Sequence, residues 1–198
     1  MAMHTGKVND EEWAMIVEAI GEISQWNAVI SYNTKVTVEG IRQDAMQIKK
    51  YYGELHGIFL DYLQLMGTQQ RFQNRTAELS HITRELKGIA LDICPVIAGA
   101  QLNRNLESRA DKRPMLSDLR ESGSLEQDAD IVAFIYRDDV YNDECETPNV
   151  AEFIVAKYRD GNPYTARLYW NSARTSFSNL HLEKFHLEHT PLSQFEED

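Results

Sequence analysis

One carboxylate is set apart by its surroundings. In Ile58-Phe59-Leu60-Asp61-Tyr62-Leu63-Gln64-Leu65-Met66, three apolar residues lead to Asp61, and apolar residues resume after it. So short a run, rich in Ile, Phe and Leu, predicts a buried strand of a parallel sheet. A buried aspartate is costly unless something pairs it. Ligands bind at the C-terminal ends of strands in open α/β sheets, where a hydrated magnesium ion is the partner that suits a lone acid. A capping or salt-bridged aspartate at a strand end has the same sequence signature, and this stretch alone leaves both readings open.

A second apolar run, Val96-Ile97-Ala98-Gly99-Ala100, ends on Gln101 in the same strand-then-polar pattern. Lys157 and Arg159 stand two apart in a stretch of strand character, so both side chains point the same way. Two solvated cations guarding a sheet edge would show that spacing too. The residues between 104 and 120 include Arg104, Arg109, Lys112, Arg113 and Arg120, in a chain whose formal net charge is −11. That balance argues against a protein that coats nucleic acid with its whole surface, and it leaves room for one local basic surface. No aromatic residue is interleaved from Arg104 to Gly123, so contact to a nucleic-acid backbone is indicated rather than base stacking.

Metal and thiol chemistry find little support. Cys94 and Cys145 are far apart with no CxxC pairing, which fits a reducing cytosol and neither a zinc site nor a disulfide scaffold. His4, His56, His81, His181, His186 and His189 share no metal-ligand spacing and read as ordinary surface or tail residues.

The elements that must position these groups follow from periodicity. Asn9 and Glu12 make a capping-box spacing ahead of Trp13, Ile16, Val17, Ile20 and Ile23, which predicts an amphipathic helix over 10–24 with that face in the core. A short strand is predicted over 28–32. Thr37 caps a second helix bearing Val38, Ile41, Ala45, Ile48 and Tyr52, and Gly53 stops it. The strand with Asp61 covers 57–62. A third helix covers about 75–92, with Leu79, Ile82, Leu86 and Ile89 on one face. Residues 103–116 are charged and aperiodic, which predicts a mobile loop. Residues 117–120 start a short helix, and Ser124 with Gln127 makes another capping-box spacing. Residues 131–136 form a third strand and 137–149 an acidic loop. Strands over 150–157 and 164–170 form a β-hairpin around Asp160-Gly161-Asn162-Pro163, with Lys157 and Arg159 near its tip. Alternating strands and helices indicate βαβ units and a mostly parallel sheet flanked by helices, an α/β class. Residues 180–198 are a polar, flexible tail. At 198 residues and 42% hydrophobic content the chain suffices for one domain with a core, and no apolar run is long enough to span a membrane.

Three blocks together resemble the C-terminal ATPase domain of the DnaB-type replicative DNA helicases: FLDYLQLM at 59–66, QLNR at 101–104, and KRPMLSDLRESGSLEQDAD at 112–130. The similarity runs from about residue 5 to 177. The family has Ser at the position of Ala100, Pro-Thr-Gly at Asn162-Pro163-Tyr164, and Thr-Arg-Phe at Thr175-Ser176-Phe177. The resemblance implies a RecA-like phosphate-loop NTPase core using ATP and Mg²⁺, in which Asp61 is the Walker B acid that holds magnesium through water. It implies that Gln101 senses the γ-phosphate side, and that Lys157 and Arg159 reach a neighbouring subunit's ATP in trans. Arg120, Glu121 and Gly123 would then belong to the loop that holds single-stranded DNA in the channel of a hexameric ring. A cytoplasmic protein, with primase or a helicase loader as further partners, is implied as well.

One family feature is absent. No Gly-x-x-x-x-Gly-Lys-Ser/Thr occurs in the chain, and a phosphate-loop NTPase needs that loop to cradle and neutralise its phosphates. In the family it lies upstream of the matching region, as does the catalytic glutamate. The expectation is a RecA-like domain incomplete at its N-terminal side over 1–179, inactive alone and completed by a chain that supplies the loop. A catalytically inactive split-gene or prophage remnant, acting as an assembly or single-strand-binding module, is the alternative. The phosphate-loop strand would lie between the strands at 96–100 and 131–136, so both would be left with open edges.

Overall fold

The computed structural model describes residues 6, 8–31 and 36–180; the side chains of 120–123 lie outside that description. Residues 181–198 of the expected tail with the histidines in them, as well as His4 and Tyr32, are outside it too. The chain divides into two compact units, residues 1–34 and 35–198.

The first unit is built on helix α1 (Asp10–Ile23). Its start is local chemistry: Asn9 Oδ1 accepts from the Glu12 amide at 2.8 Å, and Glu12 Oε2 accepts from the Asn9 amide at 3.0 Å. The capping box is therefore complete. The apolar face behaves differently from expectation. No residue of α1 is buried, and Trp13, Val17, Ile20 and Ile23 are all exposed. The predicted strand over 28–32 is not formed among its described residues 28–31, where Val29 and Ile30 are exposed. A strand needs a partner to satisfy its backbone, and the described part of this unit contains only a helix.

The second unit opens with α2 (Val38–Tyr52), capped by Thr37 Oγ1, which accepts from the Gly40 amide at 3.2 Å. Gly53 ends it at φ 90°, a conformation that suits glycine. Strand β1 (Ile58–Leu60) follows, then a 3-10 turn (Leu63–Leu65) and helix α3 (Arg75–Asp92). Strand β2 (Val96–Ala98) pairs parallel to β1 in the register Ile58↔Val96, Phe59↔Ile97, Leu60↔Ala98. This is the predicted βαβ unit. Val38 and Ile41 from α2 pack with Leu79, Ile82, Leu86 and Ile89 from α3, and Ile58, Leu60 and Val96 lean on that cluster. Alternation along the strand sends Phe59 the other way. Phe59 is 76% exposed, and Ile97 beside it is exposed too. The strand bearing Asp61 is thus covered on one face only, not buried as predicted, because nothing among the described residues lies on its second face.

The remaining strands form a separate sheet. Helix α4 (Gly123–Asp128) leads into β3 (Ile131–Arg137), which pairs antiparallel with β4 (Val150–Tyr158). Strand β4 pairs with β5 (Tyr164–Asn171) as the predicted hairpin, and β5 pairs with β6 (Ser176–Asn179), a strand the periodicity did not announce. In the hairpin turn a Cβ on Gly161 would lie 2.6 Å from the Tyr158 ring, so only glycine lets the ring close over the turn. Strand β3 alternates: Val132, Phe134 and Tyr136 are buried, while Ile131 and Ile135 are exposed. Val132 and Phe134 join Leu119 in a second core, and Ala100 touches both cores. Among the described residues, β2 has β1 as its one partner and β3 has β4, so an edge of each is free.

Candidate functional site

Asp61 emerges where β1 ends. The Leu60 carbonyl accepts from the Gly99 amide at 2.9 Å, and the Gly99 carbonyl accepts from the Leu63 amide at 2.9 Å. The Asp61–Tyr62 peptide between them is cis. Asp61 is exposed, and its Oδ1 would lie 3.9 Å from a Cβ on Gly99. Its carboxylate therefore stands beside the C-terminal end of β2. Gln101, also exposed, is two residues beyond Gly99.

Gln64 ties the two strand ends together. Its Nε2 donates to the Gln101 carbonyl at 3.2 Å, and its Oε1 accepts from the Gln101 amide at 3.0 Å. The turn carrying Gln64 is itself held by Arg75 of α3, whose Nη2 donates to the Gln64 and Met66 carbonyls at 2.9 Å each. A cavity of about 280 Å³ adjoins this point, lined by Gln64, Gln101, Asn103, Arg104 and Asp118 among others.

Among the described residues no group of three His, Cys, Asp or Glu side chains converges as a metal cage. A single exposed carboxylate at a strand end fits magnesium, which keeps most of its waters and takes one or two carboxylates plus phosphate oxygens. It does not fit a cation that relies on several protein ligands.

Residues 103–116 are pinned, contrary to the predicted mobile loop. Arg109 binds Asp118 with both ends, Nη1 to Oδ1 at 3.1 Å and Nη2 to Oδ2 at 2.8 Å, and also reaches the Arg113 carbonyl at 2.8 Å. Asp118 accepts from the Met115 amide at 2.9 Å, and its own carbonyl accepts from the Asn103 amide at 3.1 Å. Arg113 binds Glu152 of β4 bidentately at 2.8 and 2.9 Å, with its guanidinium over the Tyr136 ring. These bonds hold Glu152 below the usual carboxylate range, through the Arg113 hydrogen bonds first and the guanidinium charge next. Burial pushes the Tyr136 phenol up, helped by the bond it donates to Asp138. Two of the segment's four cations, Arg109 and Arg113, thus hold the fold, and Lys112 lies 5.4 Å from the Tyr141 ring centre.

Arg120, Glu121 and Gly123 fall where a 3-10 segment (Leu116–Ser122), kinked at Leu119, runs into α4. Their side chains lie outside the described residues. Gly123 is the first residue of α4, so Ser124 sits inside the helix and caps nothing. Its hydroxyl instead lies 3.2 Å from the Thr83 hydroxyl of α3, within hydrogen-bond distance.

Lys157 and Arg159 are not two free cations on one strand. Lys157 is the penultimate residue of β4, and Arg159 lies just past the strand in the turn. Lys157 Nζ donates to the Ala129 carbonyl at 2.7 Å and to the Glu126 and Gln127 carbonyls. Arg159 Nη1 lies 3.0 Å from Asp130 Oδ1, and its amide donates to the Asp130 carbonyl at 2.9 Å. Asp130 also accepts from Lys87 of α3. Those contacts, Lys87 before Arg159, lower its pKa. Sequence reasoning missed Gln64, Asp118 and Asp130 as supporting residues, although each lies in a block that carries the resemblance.

Residues 1–179 match the protein family of the DnaB-like helicase C terminal domain. The replicative DNA helicase DnaB of Geobacillus stearothermophilus is 44% identical over 180 residues, 90% of this chain and 39% of that protein. The replicative DNA helicase DnaB of Haemophilus influenzae is 45% identical over 181 residues, again 90% and 39%. The chain thus spans about 39% of the length of these curated relatives. Two solved structures superpose with a TM-score of 0.81 at 43% identity and cover 87% of this chain. One is the ATPase domain of G40P, of which 61% is matched. The other is a DnaB-like replicative helicase studied for its interactions with primase, of which 42% is matched.

Proposed function

The chain belongs to the DnaB-like helicase C-terminal domain family and has its RecA-like α/β fold, and from that premise we propose that it is the latter portion of the ATPase domain of a hexameric replicative DNA helicase. Asp61 takes the magnesium through water. Gln101 faces the γ-phosphate and passes its presence to the loop ahead of α4. Lys157 and Arg159 approach the ATP of a neighbouring subunit, where cations supplied in trans stabilise the charge that develops in phosphoryl transfer. Arg120, Glu121 and Gly123 hold the backbone of single-stranded DNA without sequence preference. The phosphate loop comes from another segment or another polypeptide, in a cytoplasmic ring that can also engage primase or a loader.

The observation that carries this reading is that Asp61 and Gln101 both follow the C-terminal ends of the parallel pair β1–β2, where Gln64 binds the main chain of Gln101. The experiment is ATP turnover by the pure chain and by the chain supplied with a phosphate-loop segment. Turnover only in the second case supports the reading. Turnover by neither, with undiminished single-strand binding, favours the second reading of an inactive assembly or DNA-binding module. The missing phosphate-loop motif, together with two cations already engaged within the chain, is what keeps that second reading in view.

A further inference from the structure

Three elements meet at one small carboxylate. Asp130 stands between the end of α4 and the start of β3. Its Oδ2 accepts from Lys87 Nζ of α3, and its Oδ1 pairs with Arg159 at 3.0 Å. Its carbonyl accepts from the Arg159 amide at 2.9 Å, so both backbone and side chain of Arg159 are referred to the same residue. Two positions before Arg159, Lys157 Nζ is collected by the carbonyls of Glu126, Gln127 and Ala129, the open C-terminal end of α4, where a cation also meets the favourable end of the helix dipole. The α4 end is in turn clamped to α3: Thr83 Oγ1 donates to Asp128 Oδ2 at 2.7 Å, one helical turn from Lys87.

We propose that Asp130 and the C-terminal carbonyls of α4 form a mount that positions Arg159 and Lys157 for their work on the neighbouring subunit's nucleotide. This rests on the trans-cation role proposed above and assigns the residue that aims it. Stability alone does not account for the arrangement. Arg159 and Asp130 are each 48% exposed in their side chains, and an ion pair so wet adds little to folding. What the three-way contact does is restrict a long, rotamer-rich guanidinium to one direction. Alignment is where such a group gains or loses its effect, since a misplacement of about 1 Å costs on the order of 100-fold in rate.

Asp130→Asn keeps the size and removes the charge. In ATP-hydrolysing rings that contain this chain and a phosphate-loop segment, kcat is expected to fall roughly 10- to 100-fold while KM for ATP stays within about twofold. The melting temperature of the variant stays close to that of the parent, and Asp130→Glu, which keeps the charge, restores most of the rate. Arg159→Ala is measured alongside. If Arg159→Ala has the full rate, the trans role itself is wrong and the mount falls with it. If Arg159→Ala is slow and Asp130→Asn is at full rate, the mount alone is wrong. Amine labelling of the chain by itself supplies a readout that needs no turnover: Lys157 is expected to react more slowly than exposed Lys50, and equal rates overturn the proposal.

Discussion

Gln64 and Gln101 exchange two hydrogen bonds across the ends of neighbouring strands, the Gln64 amide group acting as donor and acceptor to the main chain of Gln101. The side chain imitates a further rung of the β1–β2 ladder where the strands have already ended. It leaves the Gln101 side chain exposed instead of using it as a support.

Gln64→Ala is therefore expected to remove both rungs at once. At about 1 kcal/mol per neutral hydrogen bond, the loss of stability is on the order of 1–3 kcal/mol, read as a lower urea midpoint. The Gln101 amide loses its acceptor, so its hydrogen exchange quickens more than that of Leu63, which keeps its bond to Gly99. If the exchange of Gln101 is unchanged, the bridge does not hold the strand ends.

Asp118 is 8% exposed and is bound at both oxygens by Arg109. Removing one partner of such a pair strands the other charge, at a cost of about 3–5 kcal/mol when the site is dry. The Arg109 side chain is 28% exposed, which screens the pair, so Arg109→Met is expected to cost less than that, about 2–3 kcal/mol. Limited proteolysis gives a second readout: residues 103–116 become cut sites in the variant and resist in the parent. Equal resistance in both would mean that other contacts pin the segment.

How far these features were legible depends on how local their causes are. Asn9 with Glu12, Thr37, and the apolar spacing 79–89 act within a few residues, and α1, α2 and α3 begin and end close to expectation. Arg113 with Glu152 spans 39 positions and has no period, so a charged stretch looked mobile when it is tied down. The exposure of Phe59 was hidden for another reason: hydrophobicity marks a residue that seeks cover without saying whether this chain supplies it. That Asp61 and Gln101 follow the same end of two paired strands is legible in the two strand-then-polar patterns, whereas Gln64 and Asp130 lie within recognised blocks with no signal of their own. The i,i+2 spacing of Lys157 and Arg159 puts two side chains on one face only while both are in the strand, and β4 ends at Tyr158 between them.

Glu152 is held below its ordinary value mainly by its bonds from Arg113, and the half-exposed Asp130, lowered mainly by Lys87, adds little beside it. A carboxylate depressed in the folded state binds protons more weakly there than in the unfolded chain. Its contribution is complete above the unfolded value, roughly 4.3 for Glu and 3.9 for Asp, and is lost as pH falls through the folded value. The melting temperature is expected to hold from pH 7 to about 5 and to drop below about 4. Arg113→Leu should flatten the acid limb while lowering stability at pH 7. An acid limb identical in parent and variant would show that the Arg113–Glu152 pair is not linked to folding.

Strands β2 and β3 each keep a free edge among the described residues, and Phe59, Ile97, Ile131 and Ile135 form exposed apolar surface on these strands and on β1. Unpaired edges beside apolar strips invite association with whatever strand is available. Alone, the chain is expected to self-associate as concentration rises, or to melt early. A segment carrying the phosphate-loop strand should bind and stabilise it by about 2.7 kcal/mol at a concentration 100 times its dissociation constant. Ile97→Lys and Ile131→Lys place a charge on each strip, and they should reduce self-association without lowering the melting temperature, since neither residue is buried now. Sedimentation across a concentration series, paired with thermal scans, separates the cases. A monomer that melts sharply and reversibly above about 65 °C, indifferent both to the added segment and to the two lysines, would mean that these edges need no partner.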